Sequence, residues 1–363
     1  DGDLLILDAN QGHLHLRPEE TLRITYADKL ASQEIAKEQY LDLKNKPAQT
    51  TDGVKITLMM NAGLMVDLPF LEKSGAEGIG LYRTELQFLT QEKMPGRSEQ
   101  VEFYSHILDM AAGKPVNFRS LDIGSDKILP YLKGVKEPNP SLGWRAIRVT
   151  LDRTGIMRMQ VQALIRGAQG RPVRILFPFV TELDEFKLAR SIVLSEIEKE
   201  KKLQHVVPKK IKIGAMLEIP SLAFSNDEFF QLTDFISIGG NDLKQFFFAA
   251  DRENELVRAR YDTLNLSYLD FLEGIVARAK SFNTPINFCG EDAGKPAEAV
   301  ALMAIGLTNL SMRAASVGRI KSLIRFIALE DAKIILSNAR KIGKSSIRKD
   351  ITDWLEDINA PCF

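Results

Sequence analysis

The chain has 363 residues, 45% hydrophobic and 26% charged, a globular composition long enough for one large domain or two modest ones. Lysine plus arginine and aspartate plus glutamate both number 48, so bulk charge excludes a nucleic-acid partner and leaves only local basic sites. Two cysteines exclude a disulfide framework and point to a reducing, cytoplasmic setting, and no apolar run reaches membrane-spanning length.

Residues 1–18 alternate apolar and polar types around Asn10-Gln11-Gly12, the pattern of a β-hairpin. Residues 19–46 are rich in Ala, Glu, Lys, Leu and Gln and lack Gly and Pro, which predicts a long polar helix ended by Pro47. The chain starts at Asp1 rather than Met, so 1–18 and 19–50 are expected to be the end of an upstream domain and its linker. From 51 to 363 eight short apolar runs recur, at 54–61, 78–83, 116–122, 173–180, 211–218, 235–239, 285–289 and 309–312. Their near-continuous apolar character suits strands buried on both faces of a parallel sheet. Amphipathic stretches at 100–112, 143–170, 182–202, 252–282 and 297–305 separate them, and 316–338 and 347–359 add C-terminal helices. Eight such units predict an α/β fold, a (β/α)8 TIM barrel, with a doubly wound open sheet as the alternative.

Catalytic residues of such barrels sit at the C-terminal ends of strands. Those ends carry Arg83-Thr84-Glu85, Arg119 with Asp122, Asp126 and Lys127, Glu218, Gly239-Gly240-Asn241-Asp242, Cys289-Gly290-Glu291 and Met312-Arg313. Arginines on consecutive strands need an anion, either a phosphate or carboxylate ligand or an internal partner such as Glu85. Glu218 and Asp242 suit a hard divalent cation, or Asp242 is simply a helix cap. Arg252 reaches the site or pairs with Asp251 or Glu253. Arg145 and Arg148 read as the polar side of a helix start anchored by Trp144. His13 and His15 alternate in the hairpin and are expected to face solvent; none of the four histidines, with His106 and His205, falls at a barrel strand end. Cys289 therefore has neither a histidine base nor cysteine partners beside it in sequence, and Cys362, near the terminus, is expected to be dispensable.

"GAEGIGLYRTEL" (75–86), "RSLDIGSDK" (119–127), "NPSLGWRAIR" (139–148), "GAMLEIP" (214–220), "SIGGNDLKQFFFAADREN" (237–254) and "CGEDAG" (289–294) follow one another in an order that resembles the phosphoenolpyruvate (PEP)-binding domain of the Enzyme I family, the PEP–protein phosphotransferases. Pyruvate phosphate dikinase and PEP synthase share the domain type, and "LEIPSL", "FFFAADREN" and "RYDTLN" are most similar to the nitrogen-related paralogue. The resemblance implies a TIM barrel of the PEP/pyruvate-binding type, preceded by the last hairpin of a swivelling phosphohistidine domain. It implies that Arg83, Arg119 and Arg252 hold the phosphate and carboxylate of PEP with help from Asn241. Arg145 would support the site from nearby, and Glu291 would sit beside the cysteine. Glu218 and Asp242 would bind Mg²⁺, and Cys289 would be the acid that protonates enolpyruvate to pyruvate.

The implied partners are a phosphohistidine domain, through it an HPr-like phosphocarrier protein, and a second copy of the barrel. The Gly-Gly-x-Thr-Ser-His segment of the phosphoacceptor is absent, so the chain by itself is expected to bind PEP but not to phosphorylate a carrier. Ser125, Gly240, Glu253 and Asp292 depart from the family wording; Glu253 and Asp292 are expected to add negative charge near an anion site. Two other readings remain: a PEP- or pyruvate-sensing dimerisation module without turnover, and a metal-dependent C–C lyase on the same barrel.

Overall fold

The computed structural model describes residues 2–8, 12–89, 93–124, 137–258 and 260–361, with backbone alone at 29 and 31–39. Strands β1 (Leu5–Asp8) and β2 (His13–Leu16) form an antiparallel hairpin in which Leu5 faces Leu16 and Leu7 faces Leu14. The predicted turn residues Asn10 and Gln11 lie outside the described residues. Leu5, Leu7, Leu14 and Leu16 share one face, and each is more than half exposed. The other face meets the following helix, Glu20–Asp42, where Tyr26 donates to Asp8 Oδ2 (3.1 Å) and lies against His15. His15 is thus partly covered rather than solvent-facing, while His13 is exposed.

Eight parallel strands then close into a barrel: β3 (Thr57–Ala62), β4 (Ile79–Arg83), β5 (Val116–Arg119), β6 (Val173–Phe177), β7 (Ile211–Leu217), β8 (Ile236–Ile238), β9 (Ile286–Cys289) and β10 (Asn309–Arg313), with β10 pairing back to β3. All eight predicted apolar runs are strands, and the TIM barrel, not the open sheet, is the architecture. The outward residues of β6, Val173, Ile175 and Phe177, join the large core beneath the helices. Inside the barrel, Leu81, Leu176, Met216, Phe235 and Cys289 form one apolar layer. Among the described residues no helix is long and apolar enough to cross a membrane.

Three predicted helices are shorter or broken. Residues 143–170 form two, Ile147–Asp152 and Thr154–Ala168, because Arg153 leaves helical geometry (φ −114°, ψ 64°) and stacks on Trp144 at 4.8 Å. Residues 252–282 become helical only at Leu266–Ser281. The side chains of Asn254 and Asp262 accept from the backbone N–H two residues on, and such local turns compete with a helix until Asn265 caps it. Residues 316–338 divide into Ala314–Phe326 and Leu329–Lys341, since Ile327 is extended and its carbonyl accepts from Thr51 N (3.0 Å).

One buried side chain ties the helical shell to the barrel mouth. Gln160, on Thr154–Ala168, donates to Tyr104 Oη and Thr84 Oγ1 and accepts from Leu121 N, each at 3.0 Å. Thr84 in turn donates to the Arg119 carbonyl at 2.8 Å. The ends of β4 and β5, which carry Arg83 and Arg119, are therefore held in fixed relation.

Candidate active site

A cavity of about 580 Å³ opens at the C-terminal mouth of the barrel. Of the residues singled out in the sequence, Arg83, Arg119, Glu218, Asn241, Asp242, Arg252, Cys289 and Glu291 all line it. Arg145 does not. It lies behind the wall, nearly fully buried, with Nη2 3.0 Å from Asp122 Oδ1 and its guanidinium 4.7 Å from the Phe179 ring. It is therefore a packed internal cation, not part of a polar helix surface. Asp126 and Lys127 lie outside the described residues, as do Ser125 and Cys362.

The arginines differ in their pairing. Arg119 is buried and bound to Glu85, with Asp122 Oδ2 at 3.0 Å. Glu85 thus neutralises its neighbour-strand arginine rather than Arg83, two residues away, because Arg83 and Arg119 are register partners on β4 and β5. Burial disfavours the charge on Arg119, but Glu85 and Asp122 outweigh that and hold it firmly protonated. Arg83 makes no ion pair among the described residues. Arg252 is looser: Nη1 lies 3.2 Å from Asp242 Oδ1 with the side chain 41% exposed.

Glu218 and Asp242 come together through backbone crowding. A Cβ on Gly239 would lie 2.6 Å from Glu218 Oε1, and one on Gly240 would strike the Phe288 ring. Gly240, a departure from the family wording, is thus required here by Phe288. The helix Gly240–Phe248 can start against Glu218 only because both positions lack side chains, and Asn241 and Asp242 sit in its first turn. Phe179 N–H donates to Glu218 Oε2 (2.8 Å) from a left-handed backbone (φ 59°), an uncommon conformation for a bulky residue. Burial first, and Asp242 second, push the Glu218 pKa upward, with Arg119 opposing. Asp242 Oδ1 is buried without a hydrogen-bond partner; its approach to Arg252 lacks hydrogen-bond geometry. Two buried carboxylates that raise each other's energy, one with a bare oxygen, fit a bound cation. A donor set of two carboxylates fits an ion such as Mg²⁺ that takes its other ligands from water and substrate.

Cys289 closes the inner wall. Its Sγ accepts from Ser237 Oγ (3.0 Å) and donates to the Ile238 carbonyl (3.3 Å). Burial pushes the thiol pKa up to about 12, with Ser237, Arg119 and Arg83 pulling the other way. Glu291, at the rim, pairs with Arg313 at 2.6 Å, and its N–H lies 3.4 Å from Asn241 Oδ1.

Sequence reasoning overlooked Lys244 and Lys295, which also line the cavity. Both bind buried Asp292, at 2.9 and 2.7 Å, and Thr263 donates to it at 2.5 Å. Burial alone would raise the Asp292 pKa, but the two lysines outweigh it and hold the carboxylate well below its usual range. Asp292 therefore brings no uncompensated negative charge to the site, contrary to expectation. Glu253 does line the cavity. The lysines escaped notice because one is in a helix and the other in a turn, where lysine ordinarily faces water.

A family model described as "PEP-utilising enzyme, PEP-binding domain" matches residues 37–329. The chain belongs to this family. A PEP-protein phosphotransferase from Bacillus sp. (strain S) is 37% identical over 343 residues, covering 94% of this chain and 59% of the relative. Proteins of Escherichia coli (strain K12) and Salmonella typhimurium, named "Phosphoenolpyruvate-dependent phosphotransferase system", are 41% and 40% identical over 356 residues, 97% of this chain and 47% of each relative. The chain thus spans about half to three fifths of the length of these PEP-utilising relatives.

Proposed function

We propose that the chain is the PEP-binding part of a PEP–protein phosphotransferase, and that it activates PEP for transfer to a histidine of a swivelling domain. The observation that carries this reading is the convergence of Arg83, Arg119, Arg252, Glu218, Asp242 and Cys289 on one cavity, with no ion pair to Arg83 among the described residues. Arg83 and Arg252 bind the phosphate and carboxylate, Arg119, held by Glu85 and Asp122, adds a fixed guanidinium to the same wall, and Asn241 adds a polar contact. Glu218 and Asp242 would hold Mg²⁺, which supplies charge neutralisation to the phosphate and carboxylate oxygens. Phosphoryl transfer needs positioning and neutralisation more than covalent help. When the P–O bond of PEP breaks and the phosphoryl group bonds to the acceptor histidine nitrogen, enolpyruvate remains. Cys289 then donates its proton to the methylene carbon, giving pyruvate, and the thiolate is reprotonated. A thiol with a pKa of about 12 is neutral at physiological pH and regains its proton readily.

The hairpin and residues 19–50 belong, in this reading, to a phosphohistidine domain and its linker, and 51–363 to the barrel domain. The all-leucine hairpin face supports this, since four exposed leucines on one face need cover. The phosphate passes on to an HPr-like carrier in the cytoplasm. "LEIPSL" and "RYDTLN" support the nitrogen-related branch. Exposed Phe224 and Leu256, on the segments that follow β7 and β8, support pairing of two barrels. Titrating the chain with PEP with and without Mg²⁺, then adding a phosphohistidine domain as a separate chain, tests the reading. Mg²⁺-dependent binding and transfer in trans are the expected results; PEP binding indifferent to Mg²⁺ overturns the roles of Glu218 and Asp242.

A further inference from the structure

The N-terminal mouth of the barrel, on the side away from the strand ends discussed above, holds a second cavity of about 370 Å³. It shares no lining residue with the first. Leu81, Met216 and Cys289 border the upper cavity and Phe235 the lower, so the apolar layer inside the barrel separates them.

Its wall is polar in an unusual way. Arg174, on β6, is partly buried, and its side chain makes no hydrogen bond or ion pair among the described residues. Its register neighbour on β7 is Lys212, a like charge. Burial lowers the pKa of both, and for Arg174 no carboxylate offsets it. Glu77 also lines the cavity, but its Oε1 accepts from Leu58 N (3.3 Å) and its charge acts on Lys321. Three asparagines also line the wall, and Asn309 Nδ2 donates to the Ile286 carbonyl (3.0 Å). Asn117 is 2% exposed; its Nδ2 donates to the Gly80 carbonyl (3.0 Å), leaving Oδ1 buried without a partner. Asn287 is 7% exposed, and its Nδ2 has no partner. Buried polar atoms are rarely left unpaired, and an uncompensated guanidinium still less so.

We propose that this cavity is a second binding site, for a short carboxylic acid that carries a hydroxyl or amide group. The carboxylate pairs with the planar fork of Arg174. The hydroxyl or amide both donates and accepts, as Asn117 Oδ1 and Asn287 Nδ2 together require. The volume suits a small-molecule ligand. Asn117 and Asn287 each stand two residues before a residue of the upper cavity, Arg119 and Cys289. A ligand there lies one layer of side chains beneath the PEP site.

The test uses L-lactate as probe, with acetate and inorganic phosphate as comparators, in thermal-shift titrations of the whole chain at constant ionic strength. A background carrying both Arg83→Met and Arg252→Met removes the two arginines assigned to the substrate anion in the upper cavity. Saturable stabilisation by lactate should persist in that background and weaken at least about tenfold on adding Arg174→Met. Asn287→Ala should weaken lactate but leave acetate unchanged. Without ligand, Arg174→Met should melt no lower than its parent, since it removes an unpaired charge. Undiminished lactate binding in Arg174→Met, no saturable binding at all, phosphate preferred over lactate, or a lower melting temperature of unliganded Arg174→Met would each overturn the proposal.

Discussion

The Ser237 hydroxyl on β8 donates to the Cys289 sulfur on β9 across 3.0 Å, and the thiol in turn donates to the Ile238 carbonyl. This places the thiol proton in a defined position and leaves the group neutral, since burial lifts its pKa to about 12. In the native chain Cys289 should resist iodoacetamide at mildly alkaline pH and react on unfolding, which peptide mass spectrometry can read. The raised pKa favours folding below the unfolded value of 9.0, and that contribution is lost as pH rises through the folded one. Cys289→Ala should keep PEP binding and slow pyruvate formation by about 10²–10⁴-fold. Loss of PEP binding would instead make Cys289 a packing residue.

Glu218 and Asp242 predict a linked dependence on pH and metal. The Glu218 pKa is raised, so its protonated form stabilises the metal-free fold at low pH and that contribution fades as pH rises through the folded value. Metal-free protein should therefore lose melting temperature toward neutral and higher pH, and Mg²⁺ should restore it. Protons compete with metal for the same oxygens, so Mn²⁺ binding, followed by electron paramagnetic resonance, should weaken as pH falls. Glu218→Gln should abolish that pH dependence along with the binding. A flat melting profile with and without Mg²⁺ would contradict the pairing.

Much of this was legible from local pattern. The eight barrel strands are covered on both faces, so each appears as a continuous apolar run whatever its partners. The site residues stand at strand ends, a position that follows once the strands are placed. What stayed hidden depends on contacts between distant segments. Glu85 stands only two residues from Arg83 in sequence but neutralises Arg119, because register rather than sequence proximity sets the pair. Arg145 reads as a solvated helix residue until Phe179 and Asp122, from two other segments, enclose it. The break before Leu266 comes from Asn254 and Asp262 turning the backbone locally, which a helical apolar period conceals.

Asp292 predicts a stability effect without loss of chemistry. It is buried between Lys244 and Lys295 with Thr263 donating to it. Asp292→Asn removes the carboxylate that both lysines share and should cost about 1–3 kcal/mol in urea unfolding. The folded pKa is depressed, so the contribution is present above the unfolded value, near 3.8, and is lost as pH falls toward the folded one. Wild type should show this acid sensitivity and Asp292→Asn should lack it.

Arg145 separates support from substrate contact. Its guanidinium lies on the Phe179 ring, and Phe179 N–H holds Glu218 Oε2, so a shift at Arg145 would pass to the carboxylate pair rather than to PEP directly. Arg148 stacks on the same ring at 5.0 Å, which leaves Phe179 touched by two guanidinium groups. Lysine cannot reproduce the planar stacking on Phe179. Arg145→Lys should therefore lower stability by about 2–4 kcal/mol, in line with disruption of a buried pair. It should weaken Mg²⁺ binding more than it weakens metal-free PEP binding, when both are measured by calorimetry on the same protein. Arg83→Lys should do the reverse, with PEP affinity falling and stability unchanged, since Arg83 lines the cavity without an ion pair among the described residues. Equal loss of PEP affinity in the two variants would move Arg145 into direct contact with the substrate.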